Sequence, residues 1–250
     1  DTAIDLAVRC DAYPAILDML DLPSPVHGRR GLWPDVMTHV RERLRQVGCQ
    51  GDAGSPHGTG EDRFRLERLS PGDGPFSPWR VATRFARCSD LAVMAGPTDD
   101  ASVFRETHAC FCDLLLASGR PVLVVPPGRP LAASVRRVVV AWAPGRGATR
   151  ALHDALPLLR NAQAVHVLGV HSHVDLQSGG EGEPAIGAHL ARHGVRAEVA
   201  AMDSRDHGVD GAIIEFDCTD HADLIVAGGY GHSRAREWLL GGVTRALFTR

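Results

Sequence analysis

Ser89-Asp90-Leu91-Ala92-Val93-Met94-Ala95-Gly96 returns later in the chain as Ala222-Asp223-Leu224-Ile225-Val226-Ala227-Gly228-Gly229. Each copy is a short apolar run entered through an acid and closed by glycine. An apolar run without polar alternation is what a strand covered on both faces requires, and such strands belong to parallel sheets. Self-similarity on this scale means one supersecondary unit used twice.

The flanking segments repeat in the same order. Helical spacing precedes each copy, over 77–87 and 209–219, and candidate strands come before those, over 64–69 and 195–201. Earlier still, 32–47 and 185–193 carry helical spacing and stop at Gly48 and Gly194, as helix C-caps do. Helix, strand, helix, strand, twice over, argues for βαβ units with right-handed crossovers and helices on both faces of a parallel sheet.

The second half adds a strand at 137–142, a turn at 143–147 and a helix from about 148 to 159. Pro157 falls inside that helix and is expected to shorten or kink it. A further strand spans 164–170 and leads into a polar, Gly-rich loop over 172–183. The first half closes on a strand at 121–126, and Pro126-Pro127-Gly128-Arg129-Pro130 reads as a stiff linker. The domains are therefore expected at 1–130 and 131–250. The first is expected to begin near its second strand, over 4–9, and the second to stop before a fifth. Asp1 is not a start methionine, so the chain reads as a fragment or as one lacking terminal residues.

Composition narrows the chemistry. With 250 residues, 44% of them hydrophobic and 23% charged, there is material for one large or two small globular domains. A net charge of −3 gives no electrostatic case for nucleic acid or an anionic membrane. No apolar run approaches the roughly 20 residues that cross a bilayer, and no segment has a signal-peptide layout, so a cytoplasmic protein is expected. All 27 Lys+Arg positions are arginine. Without lysine there is no Schiff base and no Walker A loop. The six cysteines, at 10, 49, 88, 110, 112 and 218, include no CxxC pair, and His108, Cys110 and Cys112 read as helix residues with buried thiols. No GxSxG elbow, nucleophile or assembled base is visible, so no catalytic residue is assigned.

Chemistry concentrates in residues 228–244. Gly228, Gly231 and Gly241 follow a buried strand, where bare backbone amides can approach an anion. Gly241-Gly242 opens a helix whose first N–H groups could hold a phosphate. GxGxxG does not fit, because Arg234 stands where the third glycine is needed. Arg234, Arg236 and His232 read as solvated loop residues. His189 and His193 form an i, i+4 pair able to face zinc, and His166, His171 and His173 form another cluster. Neither has a third ligand at fixed spacing, so no metal site is assigned.

The G-x2-G-x9-G spacing of Gly228, Gly231 and Gly241 resembles the nucleotide signature of the universal stress protein family. The likeness extends to residues 138–142 with 151–159, to 193–199, and to 117–126, which resembles the close of a first domain in tandem members. It covers nearly all of 135–250, 64–128 more thinly, and 1–63 hardly at all. It implies two flavodoxin-like or Rossmann-like units in tandem, with strand order 3-2-1-4-5, packed as an intramolecular pseudo-dimer, a homodimer being a further option. It also implies a stress-response role and binding of ATP or AMP, with no metal beyond nucleotide-associated Mg. By that resemblance Gly228, Gly231 and Gly241 line the phosphates, Val243 and Thr244 follow on the helix start, and Val170 lies near the adenine.

This chain departs from the pattern at two points. Gly242 stands where the ATP-binding pattern has a hydroxyl, and Ala143 where it has an aspartate. Losing one neutral hydrogen bond and one to a charged group costs about 2–4.5 kcal/mol together, roughly 30-fold to just over 1,000-fold in affinity. The N–H of Gly242 offsets part of this. Weak binding in the second half is therefore expected, as a sensor or regulatory module with at most slow ATP hydrolysis. The alternative is a scaffold of the same fold that binds no nucleotide; an adenylyl-handling enzyme is disfavoured by the missing acid–base residues. In the first half Pro97-Thr98-Asp99-Asp100 replaces the glycines, and its carboxylates repel phosphate, so no nucleotide is expected there.

Overall fold

Three consecutive valines, Val138, Val139 and Val140, are 0–2% exposed. Successive side chains of a strand point to opposite faces, so this burial requires cover on both sides. The computed structural model describes residues 5–6, 16–17, 42, 46, 68–69, 78–98, 100–128, 135–171, 183–204, 208–229 and 242–248. The chain divides into two units, Asp1–Pro130 and Leu131–Arg250.

In the first unit β1 (Ile16–Leu17) pairs in parallel with β2 (Arg68–Leu69). Then come α1 (Pro78–Ala86), β3 (Ala92–Ala95), α2 (Ala101–Ala117) and β4 (Val122–Val125), with β3 and β4 parallel. The strand expected over 4–9 is not there, because Asp5 and Leu6 are helical. A short apolar run containing leucine and alanine suits a helix as well as a strand, and periodicity alone does not separate the two. The strand that pairs with β2 is instead Ile16–Leu17. Glu42 and Gln46 are helical, inside the expected 32–47 helix. The α2 helix contains His108, Cys110 and Cys112, the residues that read as helical from the sequence, though its bounds did not. It packs Leu114 with Ala82 and Ala86 of α1, over Ala92, Met94 and Val122.

The second unit contains β5 (Arg137–Trp142), α3 (Arg146–Leu159), β6 (Ala164–His171), α4 (Glu183–Arg192), β7 (Glu198–Asp203), α5 (Gly208–Asp220), β8 (Leu224–Ala227) and α6 (Gly242–Phe248). Its sheet is wholly parallel in the order β7-β6-β5-β8, which is 3-2-1-4 in the expected scheme. Among the described residues no fifth strand is present in this unit. One face of β5 presents Val138 and Val140 to Leu152, Leu156 and Leu159 of α3 and to Leu190 of α4. The other presents Val139, beside Leu168 and Ile213, to Phe216 of α5 and to Val243 and Leu247 of α6. This division follows from right-handed crossovers: β5 to β7 runs one way along the sheet, the step to β8 runs back, and the helices change face.

Local signals fix the ends. Gly194 has φ +78° and follows α4. Its N–H bonds the Ala191 carbonyl and the Val195 N–H bonds that of Leu190, the paired bonds of a Schellman motif. Val195 and Leu190 are both buried, which is the apolar contact that accompanies this turn. Pro157 does not stop α3 early, since the helix runs on to Leu159. It lies exposed in the last turn, two residues before Leu159, so the one i→i−4 bond it removes leaves only the His153 carbonyl without that partner.

The acid of the repeated motif has a structural task. Asp223 Oδ2 accepts hydrogen bonds from the N–H groups of Arg136 and Arg137, at 2.7 and 2.9 Å, while its own N–H donates to the Arg137 carbonyl. The carboxylate thus pins the entry of β5 to the entry of β8. Asp223→Ala is expected to lower stability by about 1.5–3 kcal/mol, the worth of hydrogen bonds to a charged group. Urea unfolding checks this: the midpoint should fall with the slope unchanged, and Asp223→Asn should recover part of the loss.

Candidate functional site

In an open parallel sheet, ligands meet the carboxyl ends of strands where the order of winding reverses. Here that point lies between β5 and β8, which pair from Val138↔Leu224 to Ala141↔Ala227. Past these strands come Ala143, which is exposed, and Gly228. A Cβ on Gly228 would stand 2.6 Å from the backbone nitrogen of Ala148 and 2.8 Å from the carbonyl carbon of Gly147. The glycine is therefore demanded by the first turn of α3, independently of any ligand. The spacing motif alone could not show this, since Gly228 and Ala148 are far apart in sequence.

The α3 N-terminus arrives at this edge without a side-chain cap. Gly145 is its N-cap, no acid lies in the first turn, and Thr149 Oγ1 turns back to the Gly145 carbonyl. An uncapped helix start carries unsatisfied N–H groups and a partial positive charge, which favour an anion. The indole Nε1 of Trp142, the last residue of β5, is buried with no hydrogen-bond partner among the described residues.

The remaining residues of the sequence motif divide. Gly242, Val243 and Thr244 are the first three residues of α6. Val243 and Leu247 pack onto the Val139–Leu168–Ile213 cluster and Phe248 is buried, so this face anchors the helix. Val170 packs against the same cluster from β6. Gly231 and Gly241 lie outside the described residues, as do His232, Arg234 and Arg236.

The first unit closes its corresponding position with its own carboxylate. Asp100 Oδ1 accepts from the Val103 N–H at 3.2 Å, and the Phe104 N–H bonds the Asp100 carbonyl, so Asp100 caps α2. A phosphate at this helix start would face that acid.

Two further groupings bear on chemistry. On α2, Cys112 Sγ lies 3.8 Å from His108 Nδ1, an i, i+4 pair. It is not an activated nucleophile. Burial, with Asp113 adding to it, raises the Cys112 thiol above its ordinary value. Burial likewise pushes Cys110 up to about 12, with Asp113 and Cys112 contributing. The histidine clusters read from the sequence regroup. His166 and His171 lie an odd number of positions apart on β6 and so point to opposite faces, His166 lying beside Glu198 and Phe216. His173 lies outside the described residues. His189 and His193 are joined by His153 of α3, a partner that sequence reasoning missed because it lies 36 residues from His189 on another helix.

No protein-family model and no curated protein sequence matches the chain. Solved structures do. A universal stress protein from Archaeoglobus fulgidus superposes with a TM-score of 0.68 at 14% identity, over 100% of this chain and 88% of that one. A functionally unknown protein from Pseudomonas aeruginosa PAO1 gives 0.57 at 14% identity, over 99% and 82%. A putative universal stress protein from Pseudomonas aeruginosa UCBPP-PA14 gives 0.54 at 14% identity, over 95% and 78%. The chain has the fold of the universal stress proteins. Among the described residues no helix is long and apolar enough to cross a membrane.

The thiol environments have a direct consequence. At pH 8 a group pushed to about 12 carries almost no thiolate. Peptide mapping after brief alkylation of the folded chain should find exposed Cys88 modified and Cys110 and Cys112 spared. Early labelling of Cys110 would contradict the burial described.

Proposed function

We propose that this chain is a stress-response protein of the universal stress type, acting in the cytoplasm, whose second unit binds ATP or AMP weakly as a sensor. The observation that carries the reading is the β5–β8 carboxyl edge, where the uncapped α3 N-terminus meets the backbone after β8. On this reading the α3 amides and the Gly242–Thr244 backbone face the phosphates, and Val170 borders the adenine. The indole N–H of Trp142, the last residue of β5, is a buried donor with no partner among the described residues.

The fit is partial, and that sets the affinity. Ala143 brings no carboxylate to the end of β5, and Gly242 brings no hydroxyl to the start of α6. A micromolar site losing about 2–4.5 kcal/mol falls towards a Kd of about 1 mM. The role on this reading is recognition, with at most slow hydrolysis. A second reading, a scaffold that takes no nucleotide, is favoured by the packing role of Gly228 and by Ala143.

Isothermal titration of the full chain with ATP and AMP separates the two. The sensor reading expects saturable binding with a Kd of about 1 mM. Ala143→Asp combined with Gly242→Ser should tighten it by about 30-fold or more, restoring the two missing hydrogen bonds. Absence of saturable heat at about 10 mM nucleotide, in parent and double variant alike, overturns the sensor reading in favour of the scaffold.

A further inference from the structure

His153, His189 and His193 each offer a ring nitrogen, and these atoms lie within 4.8 Å of one another. His153 projects from α3, His189 from the last turn of α4, and His193 follows that helix directly. The Nε2 atoms of His153 and His189 are 3.2 Å apart. Ring centroids are separated by 5.0, 5.7 and 4.7 Å, with interplanar angles of 53°, 78° and 57°, so no pair is stacked face to face. A hydrogen bond between two neutral rings accounts for one of these contacts and leaves the third ring unexplained. Imidazole nitrogens on a tetrahedral zinc, at about 2.0–2.1 Å from the metal, stand about 3.3–3.4 Å from each other. The His153–His189 pair, at 3.2 Å, stands close to that spacing.

We propose that His153, His189 and His193 form a binding site for a borderline divalent transition-metal cation, with zinc as its type. Imidazole nitrogen suits zinc, copper and nickel, whereas magnesium and calcium take oxygen. Three protein ligands leave a fourth position open to water or to an exogenous donor. The site is independent of the nucleotide reading.

The fold holds these rings in place from behind. Leu152 and Leu156 flank His153 on α3 and pack in the same buried cluster as Leu190, which follows His189. The backbone of His193 is fixed by the Schellman turn at Gly194 and by Arg160 Nε, which donates to its carbonyl at 3.0 Å. Ligands on packed helices are held more firmly than ligands on loops. A bound cation would tie α4 to α3 and stabilise the unit.

Zinc titration of the folded, tag-free full chain, with its accessible thiols alkylated and a chromophoric chelator as competitor, tests the site. One equivalent should bind and raise Tm, and magnesium should do neither. His153→Ala and His189→Ala should each weaken binding by at least about 100-fold, beyond what loss of an outer-shell partner costs. His108→Ala, which removes a histidine from the first unit, should change nothing. Unaltered affinity in His153→Ala overturns the proposal, as does absence of binding by the parent at micromolar zinc. Should a variant fail to fold by circular dichroism, cobalt(II) spectra of the non-alkylated parent decide. A tetrahedral nitrogen-ligand spectrum supports the site, and thiolate charge transfer or an octahedral aquo spectrum overturns it.

Discussion

The second unit depends on the seam between β5 and β8. At its entry, one carboxylate, Asp223, ties two amides of β5 to the start of β8. At its exit, Gly228 lets the chain pass within contact of the first turn of α3. Between them the valines of β5 are covered from both faces, so neither end can slip without exposing apolar surface. The seam is also the point where the winding reverses and the helices change face, so one constraint sets both the core and the edge at which a ligand would be met.

Packing and recognition compete for the same residues at that edge. Gly228 is required by a helix, Val243 anchors α6, and Val170 belongs to an apolar cluster. None of the three needs a nucleotide to explain it. What the edge retains for recognition is backbone and dipole, through an α3 start with neither side-chain cap nor acid. The first unit has spent the same kind of position on its own aspartate, since Asp100 caps α2. The two units thus treat a helix start after a parallel strand in opposite ways.

Much of the fold was legible. The repeated acid–apolar–glycine segments became β3 and β8, and 137–142 became β5 with the same bounds. Gly194 capped α4 as its place after a helical run implied. These elements succeed because apolar runs and C-capping are written in adjacent residues, but cover on both faces holds for β5 and not for β3, whose residues alternate between half-buried and exposed. The strand expected over 4–9 failed because a short apolar run does not choose its own conformation, and Asp5 and Leu6 are helical. The candidate site was legible only as a spacing. That Gly228 meets Ala148, or that His153 meets His189, depends on contacts between segments far apart in the chain.

In the second unit the order of strands and helices, the parallel character of the sheet and the place where α4 stops were determined by the sequence alone, because each follows from periodicity and turn chemistry within a few residues. Which glycine makes room for a helix, which acid bridges two strands and which three imidazoles converge were decided by the tertiary structure. Those properties belong to pairs of elements, and no local pattern states which surfaces will be pressed together when the valines of β5 are buried.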